Sequence, residues 1–164
     1  MMNETPDQFE ARLTRLDTAL RSGTFFVPVM NAVDSEFKRR LFTEGLGADE
    51  QPLGVYSTRP IAIPKAFWPR KSAFRAIVKG GYRQFRILNG RQGEYVDLYL
   101  TGELFRSIQP TAISMTRGTL YVSPSQDYKL RKLRKKYPTA FEPGPRESAA
   151  ARRAIELELR AILL

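Results

Sequence analysis

Glu94, Asp97 and Glu103 are the carboxylates of this chain best placed to do chemistry. Asp97 and Glu103 flank an expected strand-to-helix turn, which would bring them near one another, and paired acids can move protons on a substrate. Little else in the usual catalytic repertoire is available, because the chain has no cysteine and no histidine. Thiolate nucleophiles, disulfides and cysteine metal sites are excluded, as are Ser-His-Asp and Cys-His arrangements and the commonest zinc ligand. Paired carboxylates or a lysine remain as chemical means. Yet acids are missing from the stretch richest in rings and glycines, and single surface acids are ordinarily just solvated. We therefore expect no enzyme, and assign no catalytic residue, no cofactor and no metal ligand. No phosphate-binding glycine loop is present either, since GGYRQF and LNGRQG lack the required spacing.

The cations are more telling than the acids. Residues 51 to 93 hold nine Lys/Arg and no Asp or Glu: Arg59, Lys65, Arg70, Lys71, Arg75, Lys79, Arg83, Arg86 and Arg91. Residues 129 to 136, KLRKLRKK, hold six more. With 27 basic and 17 acidic residues in all, these two segments exceed the whole net charge of +10, and the rest of the chain is slightly acidic. Such self-repulsion is relieved by an anionic partner, either nucleic acid or an acidic protein surface.

The elements that must position these charges read as a single domain over residues 1 to 164. A hydrophobic content of 42% is too high for a disordered chain. No run approaches the roughly 20 apolar residues of a membrane span, and MMNETPDQFE does not begin like a secretory signal, so no membrane partner is expected. Thr5, Pro6 and Gln8 predict a helix start, with Phe9, Leu13, Leu16 and Leu20 forming a core stripe up to Ser22-Gly23. A second helix is expected over 26 to 42, with Met30, Val33, Phe37 and Leu41 on one face and Pro28 in its first turn. Pro52, Pro60, Pro64 and Pro69 then punctuate an irregular stretch, which we read as an extended basic arm or loop over 51 to 93. Within it, 72 to 78 would form a short helix or a strand.

YVDLYL, 95 to 100, alternates like a strand, and Thr101-Gly102 leads into a short helix to about 108 that Pro110 would stop. AISMT and TLYVS, parted by Arg117-Gly118, predict a hairpin. Asp127 caps a basic helix to 137, and the last helix spans 148 to 164, with Arg152, Glu156 and Arg160 at pairing distance. The fold class is α+β: a small antiparallel sheet packed with N-terminal and C-terminal helices, plus the long basic arm.

In the arm, Tyr56, Phe67, Trp68, Phe74, Tyr82 and Phe85 interleave with the cations. Rings and cations together can hold single-stranded nucleic acid by stacking and phosphate pairing. They can equally anchor the arm to protein while its charges face solvent or an acidic neighbour. On the basic helix, Lys129, Lys132 and Lys136 share one side while Leu130 and Leu133 pack on another. A solvated face, a DNA contact and an acidic partner are the alternatives there.

LFTEGLGADEQPLGVYST and, more closely, VDLYLTGELFRSIQ resemble segments of phage virion-morphogenesis and tail-completion proteins. In those proteins a strand is followed by Thr-Gly, a Leu, Ser-Ile and a hairpin. The matching residues are Thr101, Gly102, Leu104, Ser107 and Ile108, and GGYRQFR is similar to a stretch of related prophage proteins. The resemblance covers roughly residues 36 to 123 and departs from the pattern in its long basic arm. It implies a small α+β protein without catalysis that forms a homo-oligomeric ring, often sixfold, at the head–tail junction (neck) or as a tail completion or terminator ring. Its partners would be other virion proteins of the neck or tail tube, with DNA contact where the ring lies beside packaged genome, and its place the virion, or the host cytoplasm during assembly. Candidate contacts to neighbouring subunits or an anionic partner are Arg59, Lys65, Trp68, Arg70, Lys71, Arg75, Lys79, Tyr82, Arg83, Arg86, Lys129, Lys132 and Lys136. The alternative is a basic nucleic-acid-binding protein using residues 59–91 and 129–136.

Overall fold

Thr5 and Gln8 cap the first helix reciprocally. The Thr5 amide donates to the Gln8 side chain at 3.0 Å, and the Gln8 amide to the Thr5 hydroxyl at 3.4 Å. The computed structural model describes residues 5–63, 76–114 and 117–163. Helix α1 runs Pro6–Ser22 and ends at Gly23, whose φ of 73° is left-handed. Helix α2, Phe26–Lys38, continues without a break into a π-helical turn, Arg39–Glu44. The helix expected over 26 to 42 is thus longer, with one wide turn near its end.

Two hairpins and four further helices complete the described fold. Strands β1, Ile61–Ile63, and β2, Ala76–Val78, pair antiparallel, Ile61 opposite Val78. Helix α3, Gly81–Leu88, comes directly after β2. Beyond a coil lies α4, Glu103–Ser107, which runs directly into β3, Ile108–Ser114. Strand β4, Arg117–Val122, pairs antiparallel with β3, Ile108 opposite Val122, with an irregularity between Ala112 and Ser114. Helices α5, Asp127–Lys136, and α6, Pro145–Leu163, close the chain, with short 3-10 turns at Pro124–Gln126 and Pro138–Phe141. The class is α+β as expected, but the strands form two separate two-stranded sheets. Among the described residues no helix is long and apolar enough to cross a membrane.

The main core lies where α2 and its π-turn meet α4, β3 and the Pro138–Phe141 turn. Phe37, Leu41, Phe42, Leu104, Ile108 and Ala140 are buried there. Arg40 is sealed into the same region. Its Nε donates to Glu147 Oε1 at 2.6 Å, Nη1 to Leu46 O at 3.0 Å and Nη2 to Glu142 O at 2.9 Å. Glu147 Oε2 accepts the Gly144 amide at 2.9 Å. A buried ion pair holds only when its remaining groups are bonded in this way. It ties the π-turn to the first turns of α6, over 100 residues later.

Four expectations need correction. Arg117 and Gly118 do not form the turn of the hairpin but lie within β4, opposite Ser114 and Ala112, because the register brings the strands together earlier. Residues 51 to 93 do not form an extended arm throughout. Ile63, Val78 and Phe85 make a second core, with Ile61, Tyr82 and Leu100 against it. The cause is that Tyr82 and Phe85 lie one helical turn apart on α3, so they can share a buried face. Residues 95 to 100 form no strand, because several of their backbone groups bond to side chains instead, while the Val96 amide reaches the Gly54 carbonyl. Arg86 takes the Tyr99 carbonyl, Asp97 the Tyr99 amide, and Leu98 turns to a φ of 52°. Pro110 does not stop α4. The helix ends at Ser107, and Pro110 lies within β3 opposite Leu120.

Candidate functional site

Asp97 organises the middle of the molecule. It accepts from the Tyr56 hydroxyl at 2.9 Å, the Tyr99 amide at 2.9 Å, the Gln92 side chain at 2.6 Å and Arg86 at 2.7 Å. Arg86 also donates to the carbonyls of Gln92 and Tyr99, at 2.8 and 2.7 Å, and stacks 4.4 Å over the Tyr56 ring. Burial pushes the Tyr56 hydroxyl well above the usual tyrosine range, and raises Tyr82 for the same reason. This network fixes the tyrosines that form one wall of a groove of about 670 Å3. The Thr101–Phe105 stretch and Lys129, Leu133, Lys136 and Tyr137 line it together with Tyr56, Tyr82 and Tyr99.

The Thr101-Gly102-Glu103-Leu104 motif supplies part of that lining. Gly102 has a φ of 76°, and a β-carbon there would fall 2.8 Å from both the Tyr99 hydroxyl and Arg106. Only glycine allows the chain to turn so tightly under the ring. Thr101 accepts the Glu103 amide at 3.4 Å and so braces the turn, rather than capping deeper into the helix. Leu104 and Ile108 are buried, as the motif implied, and the Ser107 hydroxyl donates to the Leu104 carbonyl at 2.7 Å.

The remaining candidates divide. Arg59, Lys79 and Arg83 are exposed and Tyr82 is half-buried. Arg86 is 1% exposed, so it is a structural residue and offers nothing to an outside partner. Lys65, Trp68, Arg70, Lys71 and Arg75 lie outside the described residues. Of the acids, Asp97 is buried and saturated by donors. Glu103 is exposed beside Lys129 at 3.4 Å, and Glu94 is exposed. The geometry does not present Asp97 and Glu103 as a pair facing one substrate.

On α5, Leu130 is buried and Leu133 half-buried, while all six cations are exposed. Arg131 pairs with Asp127 at 2.5 Å and Lys129 with Glu103. Lys132 and Lys136 lie 4.4 and 5.1 Å over the rings of Tyr128 and Tyr137. Among the described residues, Lys132, Arg134, Lys135 and Lys136 have no acidic partner.

The α1 stripe, read from sequence as core packing with exposed parts available as subunit contacts, is a surface. No residue of α1 is buried, and Phe9 and Leu13 are 54% and 46% exposed. A signal existed. The spacing of four, three and four from Phe9 to Leu20 is a narrow seam of the kind that pairs one helix with another, not the broad face of a core helix. The groove gave no comparable signal, because its tyrosines are scattered over four segments.

Comparison of the chain with family models, with curated proteins and with solved structures returned no match.

Proposed function

We propose that this protein is a structural component of a tailed-phage virion, at the head–tail junction or in a tail completion ring, acting by self-association and docking. One observation carries the reading. Helix α1 is fully capped and regular, yet its apolar seam is left uncovered at Phe9 and Leu13. A contiguous apolar strip facing water marks a contact surface. The Thr101–Ile108 motif, which underlies the resemblance to tail-completion proteins, supports the same reading. Light scattering and electron microscopy of the purified protein test it: rings, alone or at the neck of particles, are expected. A monomer at every concentration, absent from virions, would refute it.

A second reading, contact with DNA through α5, is favoured by the cations there that have no acid beside them. Filter binding across a salt series tests it with a variant carrying alanine at Lys132, Arg134, Lys135 and Lys136. If α5 contacts phosphates, wild-type affinity falls steeply with salt, and the variant's slope is shallower by about 0.9 for each duplex phosphate it no longer neutralises. Identical curves would dismiss it.

A further inference from the structure

We propose that the apolar seam of α1 docks into the tyrosine-lined groove of a second copy of this chain, head to tail. The inference rests on the self-association proposed above and names the two surfaces that meet.

Both surfaces are unsatisfied within one copy. The seam shows Phe9 and Leu13 to solvent. The groove is open and apolar, and Val55 at its edge is 79% exposed. No residue of α1 lines the groove, so the chain does not fill it with its own helix. Within its own chain α1 packs against α6, whose Leu163 carbonyl accepts from Arg12; Leu16 and Leu20 are half-buried there, while Phe9 and Leu13 stay exposed. Phe9 and Leu13 themselves remain open to a neighbour.

The charges are complementary. At 100° per residue, Glu10 and Asp17 fall along one edge of the seam, Asp17 already paired with Arg21 at 2.7 Å, and Arg12 falls along the other edge. The groove carries Lys129 and Lys136 on its α5 side, with Lys132 one turn from each. Its one acid, Glu103, is already beside Lys129. An acidic-edged helix therefore suits this rim, and opposite potentials across a contact fix register and suppress wrong partners. The shapes agree as well. A groove of about 670 Å3 has room for a phenylalanine and a leucine side chain, with rings and leucines to receive them.

The geometry has a topological result. The two patches are different surfaces, so the contact is heterologous. Each copy carries both a seam and a groove. Such contacts generate a ring if the rotation closes, and a filament if it does not.

Charge reversal tests this. Lys129→Glu/Lys136→Glu alone and Glu10→Lys/Asp17→Lys alone should each abolish the oligomer seen by sedimentation, while the two sets combined restore it. All these side chains are exposed, and circular dichroism melting confirms that each variant is folded. Phe9→Ala should weaken association by about tenfold or more, as expected for a buried aromatic anchor. Because the chain has no cysteine, Phe9→Cys with Val55→Cys gives an unambiguous crosslink. A ladder of dimer, trimer and higher species on oxidation supports the proposal. An oligomer unaffected by either reversal overturns it while leaving self-association intact. Dimers from Phe9→Cys alone that match the double variant would show seam-to-seam pairing, and also overturn it. A wild-type protein that stays monomeric at every concentration overturns this contact, and its absence from virions as well would overturn the function proposed above.

Discussion

Arg86 and Asp97 meet at 2.7 Å with 1% and 8% of their side chains exposed. A cation from the most basic third of the chain is thus spent on holding the fold together. Removing one partner of such a pair leaves the other charge buried and uncompensated. Arg86→Ala should therefore cost about 3–5 kcal/mol of stability. Arg83→Ala, on the exposed side of the same helix, should stay within about 0.5 kcal/mol of wild type. Urea unfolding followed by circular dichroism distinguishes them, and equal midpoints for the two variants would contradict the buried role.

Tyr56 makes stability fall at alkaline pH. Its hydroxyl titrates above the usual range because burial disfavours the phenolate. Below about pH 10, the ordinary tyrosine value, both folded and unfolded chains keep the proton and the full contribution is present. Above it the unfolded chain releases the proton while the folded chain retains it. Stability then declines by up to about 1.4 kcal/mol per pH unit until the folded value is reached. Tyr56→Phe should remove that share of the alkaline decline, at the cost of the hydrogen bond to Asp97. Phenolate absorbance should show Tyr56 and Tyr82 ionising above the ordinary tyrosine range. An identical alkaline limb in the Tyr56→Phe protein would disprove the assignment.

Gly81 and Gly90 share a φ of 68° but not their surroundings. A β-carbon at Gly81 would lie 2.4 Å from the Arg59 carbonyl and 2.5 Å from that of Ser57, both backbone. At Gly90 it would meet nothing within 4 Å. Gly90→Ala should cost about 1–2 kcal/mol, the strain of a left-handed backbone alone. Gly81→Ala should cost roughly 2–4 kcal/mol, since the loop before β1 must also move. Thermal melting that ranks them in the reverse order would show that α3 does not seat against that loop.

Seam and core should respond oppositely to truncation. Leu41 is 0% exposed, and Leu41→Ala should destabilise the monomer by about 2–5 kcal/mol. Phe9→Ala and Leu13→Ala should change monomer stability by no more than about 0.5 kcal/mol, because both side chains already face water. Unfolding at dilute concentration isolates this monomer contribution. A core-sized loss at Phe9 would mean that α1 is covered within its own chain.

Much of the architecture was legible where local chemistry decides it. Thr5, Pro6 and Gln8 specify the start of α1 by capping alone, and the helix expected over 148 to 164 forms as Pro145–Leu163. The hairpin expected from AISMT and TLYVS forms as β3 and β4, although Arg117 and Gly118, read as its turn, lie within β4. Legibility ended where distant residues decide. Residues 95 to 100 alternate like a strand, yet Arg86 and Asp97 draw their backbone groups away from any neighbouring strand. Periodicity shows that Phe9 to Leu20 share a face, but not that the rest of the chain leaves part of it bare. Arg86 reads as one cation among nine, and only its position on α3 beside Tyr82 and Phe85 turns it inward.

The π-helical turn at Arg39–Glu44 acts as a phase setting between two parts of the molecule. Excising one residue there would close it to ordinary helix and rotate the preceding helix by about 100° against the rest of the chain. Arg40 would swing off Glu147, and the far end of the N-terminal helices would sweep to a new bearing. Variation in chain length should therefore be accepted at the 48–51 turn and purged within this one stretch of six residues, where the angle between N-terminal rod and tyrosine wall is geared.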